Sequence, residues 1–349
     1  MVNAVLCSQV ITNIFSSSSA ESAEAVFLAS LVRYVIRRLL FMIPVFLGVA
    51  ILTFFVGNAA GNPVDLIRIY LRNPSPAVLE ALQQYYHLDR PVWERFLYWL
   101  WDLIHGNLGV SISGRQVADQ IGAWTLTTLE LQITALLLAL AIGIPVGVYS
   151  AKHQYSKRDY AITTFAIFGF SMPTFWLGIM LIILFSFDLG WLPSSGAAGI
   201  SFLWGGTEVT DYLAHLVLPV AVLTYVSLAT VVRLVRGNML DVLRQDFILA
   251  ARASGLSEWT VTYRYALRNA ITPIVTIVGL SFGASLGGAP ATETVFSWPG
   301  LGLAFARAAS TLDIPLVQGI TIVITIMVLV ANLVTDLAYA VLDPRVRIS

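Results

Sequence analysis

Two overlapping pentapeptides, Gly279-Leu-Ser281-Phe-Gly283 and Gly283-Ala-Ser285-Leu-Gly287, have the G-x-S-x-G spacing. On a strand-to-helix turn that spacing exposes a serine as a nucleophile. His215 could serve as its base. Both serines, however, lie inside an apolar run of helical type, so a membrane serine hydrolase would lack the turn it needs. Phosphate binding is a second chemistry to weigh. A P-loop requires Gly-Lys followed by Ser or Thr, so that backbone amides and an ammonium hold the phosphates. The lysines of this chain, Lys152 and Lys157, follow Ala151 and Ser156, so ATP is not bound in that way. His87, His105, His153 and His215 are scattered, and Cys7 is the single cysteine; no metal-ligand spacing, multi-cysteine cluster or internal disulfide framework results. An ion-coupled transporter would place acids or bases at mid-membrane. Here Glu130, Asp188 and Asp336 fall near the ends of apolar runs, and Asp336 reads as a helix-packing residue.

The elements that hold these residues are written for lipid. Of 349 residues, 57% are apolar and 11% charged, where a soluble domain carries about 25% charged, and the mean hydropathy is +0.79. Twenty basic residues balance twenty acidic ones, which leaves no net basic field for nucleic acid. Six stretches can cross a hydrocarbon core, which takes about 20 helical residues: 34–57, 126–149, 160–187, 212–232, 271–290 and 315–341. Pro173 predicts a kink in the third. Arg33, Arg37, Arg38, Lys152, Lys157, Arg158, the six arginines from Arg233 to Arg268, Arg345 and Arg347 fall on one side, against Arg307 in the two short loops opposite. That asymmetry predicts cytoplasmic N and C termini. The fold expected is all-α: a tail over 1–30, a first span over 31–57, an extracytoplasmic helical loop over 58–125, and a transmembrane core over 126–349 whose loop 233–269 faces the cytoplasm.

Within 58–125, Val78, Leu79, Leu82, Tyr85 and Tyr86, then Phe96, Leu97, Leu100, Leu103 and Ile104, recur at helical spacing and predict two amphipathic helices. Trp93, Trp99 and Trp101 suit a membrane–water interface. In the 233–269 loop, residues 241–254 predict a helix with Leu243, Phe247, Ala250 and Ala251 on one face. Gly255 would end it, and Ser257 would cap a second helix with Glu258 in its first turn. The product is a helix–glycine–helix knob, with Ala250, Ala251 and Leu256 near its turn as a docking surface. In the fifth span, Gly279, Gly283 and Gly287 recur every fourth residue, a stripe that lets another helix come close.

The run Asp246-Phe-Ile-Leu-Ala-Ala-Arg-Ala-Ser-Gly255-Leu, followed by Ala266-Leu-Arg-Asn-Ala-Ile-Thr-Pro273, resembles the coupling-loop signature of ABC importer permeases, most closely the dipeptide/oligopeptide and nickel group. The block Glu293-Thr-Val-Phe-Ser-Trp-Pro-Gly-Leu-Gly302, together with Leu189-Gly-Trp-Leu-Pro193, Ser171-Met-Pro-Thr-Phe-Trp176, Leu342-Asp-Pro-Arg345 and the opening Tyr34-Val-Ile-Arg-Arg-Leu-Leu, matches in the same order. The resemblance covers about 31–349. Leu249 stands where the general importer signature has glutamate.

The resemblance implies a non-catalytic permease subunit of the cell membrane, working by alternating access on short peptides, or in related systems on oligosaccharides or nickel. It would bind no cofactor itself; ATP-Mg would be used by two ATP-binding subunits. A second permease, identical or different, and an extracytoplasmic solute-binding protein would complete the assembly. On that reading Leu249, Ala250, Ala251, Gly255 and Leu256 couple to the ATPase. Gly279, Gly283, Gly287, Ser281 and Ser285 line the path or pack helices. Glu293, Trp298, Pro299 and Gly300 form an outer gate or a contact for the binding protein, or else a structural corner.

Overall fold

The computed structural model describes residues 32–61, 64, 68, 75–196 and 208–342. The expected tail over 1–30 and the closing Asp-Pro-Arg motif lie outside them. The described chain is helical throughout. No strand forms among these residues, and one isolated bridge pairs Val110 with Gln116. The helices are α1 Val32–Ala60, α2 Pro76–Tyr85, α3 Val92–Ile104, α4 Val117–Lys152, α5 Lys157–Ser171 and α6 Thr174–Leu181, the last running on as a π-helical turn to Asp188. Then follow α7 Glu208–Leu243, α8 Asp246–Ala253, a π-helical turn Thr260–Ala266 leading into α9 Leu267–Ser285, α10 Pro290–Val295, α11 Leu301–Ser310 and α12 Ile314–Leu342.

Among the described residues, five helices are long and apolar enough to cross a membrane: α1, α4, α7, Thr260–Ser285 and α12; α5 and α6 make a sixth if the bent pair is one span. The bend between them is 105°, far more than the kink expected in a single 160–187 helix. Proline lacks the N–H that would continue the helix and drives the residue before it out of the helical region. Met172 is accordingly extended (ψ 126°) and so is Pro173 (ψ 130°).

Two helices outrun their expected spans. Both α4 and α7 contain 36 residues, about 54 Å at 1.5 Å per residue, against a hydrocarbon core of about 30 Å. Hydropathy falls after residue 232, where Arg233, Arg236 and Asp241 enter, but Val235, Met239 and Val242 keep a buried stripe going. Packing therefore sustains the helix after its apolar composition has lapsed.

The largest helix contact is α4 against α7, followed by α9 against α12. In the first, Gly143 and Gly147 bring the backbones close: a Cβ on either would lie 2.7 Å from the side chain of Val231 or Val235. The ends of the bundle are defined by further contacts. At one, Arg38 pairs with Asp336 at 2.8 Å, so the acid near the end of α12 is a packing residue held by a cation. At the same end as Lys152, Asp159 is 2% exposed and takes Arg236 Nε and Nη2, each at 2.7 Å, with Ser150 Oγ and the Tyr155 N–H also donating to it. This forked pairing ties the α4–α5 turn to α7. At the opposite end, Gln318 donates to the Thr53 carbonyl at 3.4 Å and Ser111 to Asp313. There α3 rests on the end of α1 through Phe54, Phe55, Phe96 and Trp99.

Candidate functional site

The first candidate region is the hairpin around Gly255. The helix expected over 241–254 is in fact two: α7 runs to Leu243, and Gln245, extended at ψ 151°, starts α8 at Asp246. The face also differs from the one expected. Ile248 and Ala251 turn inward onto Met239, Val242, Val261, Ala266 and Ala270. Phe247, Leu249 and Ala250 point out. At about 100° per residue, Ala250 and Ala251 cannot share a narrow face, so Ala251 belongs to the core and Ala250 to the surface. Gly255 then takes φ +75°, the left-handed region that glycine enters without strain. Ser257 Oγ accepts from the Thr260 N–H at 3.3 Å, and Arg252 grips Glu258 at 2.9 Å across the turn. The exposed apolar set is Phe247, Leu249, Leu256 and Trp259, with Leu249 56% and Trp259 69% exposed. Trp259 was not among the residues singled out in the sequence, although a tryptophan two positions past a capping serine in a water-facing loop was the available signal.

The second region is the corner Pro290–Gly302 at the opposite end of the bundle. Glu293 and Trp298 are both 0% exposed. The Glu293 carboxylate accepts from the Leu303 N–H at 2.8 Å and the Ala289 N–H at 3.1 Å, with the Thr128 hydroxyl at 3.5 Å. Burial pushes its carboxyl above the usual glutamate range, against the backbone donors of Leu303, Ala289 and Gly302, which favour the charge. Thr128 Oγ1 in turn accepts from the Leu301 N–H, and Trp298 Nε1 donates to the Thr127 carbonyl at 3.2 Å. Glycines are required around this carboxylate: a Cβ on Gly300 would stand 2.5 Å from Oε2. Neither Glu293 nor Trp298 reaches the surface: both side chains pack inside the corner. Pro299 is partly exposed and lines, with Ser297, Gly300 and Arg307, a cleft of ≈ 270 Å³.

The glycine stripe faces α12. A Cβ on Gly279 would lie 2.3 Å from the Thr335 side chain, and one on Gly283 would lie 2.8 Å from Asn332 Oδ1. Gly287 falls beyond the end of α9, where a Cβ would lie 3.4 Å from Ile324, because the chain turns through Gly288 at φ +88°; the fifth span starts earlier and ends earlier than expected. Gly279→Val should overpack the α9–α12 contact and destabilise the protein by roughly 1–3 kcal/mol, whereas valine at Gly48, which has open space, should have little effect; thermal melts in detergent compare the two. Ser281 is exposed on α9 and Ser285 Oγ donates to the Phe282 carbonyl within that helix. Neither stands on a strand-to-helix turn, so the geometry offers no nucleophile elbow. His215 Nδ1 lies 2.8 Å from the Asp211 carbonyl of its own helix.

An apolar helical bundle with an exposed hairpin at one end and a braced corner at the other is the architecture of a multi-span membrane protein. The chain belongs to the family of binding-protein-dependent transport system inner membrane components, whose profile matches residues 143–348; it is a multi-pass protein of the plasma membrane. Among its relatives, the oligopeptide transport system permease protein AppB of Bacillus subtilis (strain 168) is 40% identical over 319 residues, covering 90% of this chain and 99% of the relative. The dipeptide transport system permease protein DppB of Escherichia coli (strain K12) is 40% identical over 337 residues, covering 91% and 99%. The di/tripeptide permease DppB of Pseudomonas aeruginosa (strain UCBPP-PA14) is 39% identical, covering 90% and 98%. Among solved structures, the inward-facing MetNI methionine ABC transporter shares the fold, with TM-score 0.50 and 17% identity, over 64% of this chain and 96% of that one.

Proposed function

We propose that this chain is the non-catalytic permease of an ATP-driven importer of short peptides. The supporting observation is its 40% identity, across nine-tenths of its length and nearly all of theirs, to permeases named for oligopeptides and dipeptides. Two ATP-binding subunits, using ATP-Mg, dock on the Gly255 hairpin through Phe247, Leu249, Ala250, Leu256 and Trp259. A second permease completes the path, and a binding protein delivers solute to the opposite end, over the cleft beside Pro299 and Arg307. The arginine and lysine asymmetry supports a cytoplasmic Gly255 end. ATP closure then moves the hairpin, and a change at one site can shift the other only if the two states contact the partner differently. A short ordered hairpin with one glycine hinge meets that requirement. The glycine stripe serves the α9–α12 contact along which the helices shift, while Ser281 stays exposed on the other side of α9.

The test is reconstitution in liposomes with the ATP-binding subunits, second permease and binding protein encoded beside it. Labelled dipeptide should accumulate only with ATP and the binding protein. Uptake without ATP, or by this chain alone, overturns the reading. In a Cys7→Ser background, Ser254→Cys should be labelled from the cytoplasmic side and Ser310→Cys from outside; the reverse pattern overturns the orientation.

A further inference from the structure

At the base of the Gly255 hairpin, where α4 and α7 end, lies a cavity of ≈ 330 Å³ lined by Lys152, Gln154, Arg244, Arg252, Glu258 and Thr262, with Ala151, Leu240 and Leu243 behind them. Its charges do not balance. Glu258 is the one acid in the lining and is gripped by Arg252 at 2.9 and 3.5 Å. Among the described residues, Arg244 reaches the neutral amide oxygen of Gln154 at 3.4 Å and no carboxylate. Lys152 has no ion-pair partner among the described residues. In the wall, Thr262 Oγ1 is buried with no hydrogen-bond partner.

We propose that this cavity is an anion site that takes a phosphate group, with Lys152 and Arg244 as its cations. An ammonium supplies a point charge and a guanidinium a planar fork, a pairing suited to a tetrahedral anion with several acceptor oxygens. The volume far exceeds the ~10–15 Å³ that one water needs, so the phosphate can carry substituents. The place is right for a headgroup as well, since basic pockets between membrane helices hold anionic lipid. A free phosphate offers the same chemistry. Either would draw Arg244 and Arg252 toward Lys152 and hold the α8 hairpin against the end of α4. This site stands whether or not the transported solute is a peptide.

The chain contains two lysines, Lys152 and Lys157, so acylation of amines read by mass spectrometry reports the site against an internal reference outside it. The full-length protein is placed in nanodiscs of phosphatidylcholine alone, of phosphatidylcholine with phosphatidylglycerol, or of phosphatidylcholine with inorganic phosphate in the buffer. Acylation of Lys152 should slow by about fivefold, ~1 kcal/mol of protection, in the phosphatidylglycerol arm, the phosphate arm or both, with Lys157 little changed. Protection in the first arm alone identifies a lipid headgroup, and in the second alone a soluble phosphate. Arg244→Gln should abolish the protection, and Arg158→Gln, a charge removed outside the cavity, should keep it. Equal slowing at both lysines, no slowing in either arm, or full protection in Arg244→Gln overturns the site.

Discussion

Gly255→Val should leave the protein inserted and folded while solute uptake falls by roughly tenfold. Gly255 stands at φ +75°, and a Cβ there would meet nothing within 4 Å, so the substitution brings no clash. Its effect is confined to the backbone. A β-branched residue held in the left-handed region is strained by about 1–2 kcal/mol, and ~1.4 kcal/mol is a factor of ten in an equilibrium. The hairpin relieves that strain by re-aiming Leu256 and Trp259 relative to Leu249, which spoils the surface offered to the ATP-binding subunit. Gly255→Asn is the control, because asparagine tolerates this conformation; it should keep most of the uptake. Native uptake and native ATPase stimulation in the valine variant would remove the hairpin from the mechanism.

The largest loss of stability is expected at Glu293→Ala. It removes the acceptor of two backbone N–H groups and a hydroxyl and leaves a void at a fully buried position. At about 1–3 kcal/mol for each orphaned buried donor, the combined loss is about 3–5 kcal/mol. Trp298, packed in the same corner, gives a fluorescence signal for the melt. Glu293→Gln retains one acceptor oxygen and should lose less. It should also change the pH response. Because burial raises the folded carboxyl above its unfolded value, the associated stability is present in full below about pH 4.3 and declines as pH rises through the folded pKa. The glutamine variant should lack that decline. A melt of the alanine variant matching the native one would show that the corner is not braced by this carboxylate.

The long apolar runs made the spans legible, and the α2 and α3 positions followed from apolar spacing. The Gly255 turn was legible because one residue type serves a positive φ. Helix ends were less so: at 233–243 the composition turns polar while the stripe Val235, Met239, Val242 goes on packing, and composition cannot report a neighbour. The break at Met172–Pro173 could be read as a kink but not as 105°, because proline removes a hydrogen bond without fixing the angle that replaces it. Glu293 read as part of an outer gate, a binding-protein contact or a structural corner, with nothing in the sequence to choose among them. Its burial depends on Thr128, 165 residues earlier, and on glycines that admit a carboxylate where any Cβ would collide. The Asp159–Arg236 pair was missed for the same reason: its members are 77 residues apart, and only the Ser156-x-x-Asp159 capping pattern hinted that Asp159 was placed for structure.

The close crossing of Gly143 and Gly147 on α4 with Val231 and Val235 on α7 sits off-centre. From Val235 to Leu243 is about 12 Å, and from Val231 back to Glu208 about 35 Å, at 1.5 Å per residue. The longer stretch does not stand free of α4: Leu131 and Ala135 pack with Val220, Thr224 Oγ1 donates to the Ala135 carbonyl at 3.4 Å, and the Tyr212 hydroxyl donates to Glu130. The two helices are therefore fastened into one strut that runs from beside the hairpin to the Trp298 corner, where the Tyr212 ring lies 5.5 Å from that indole.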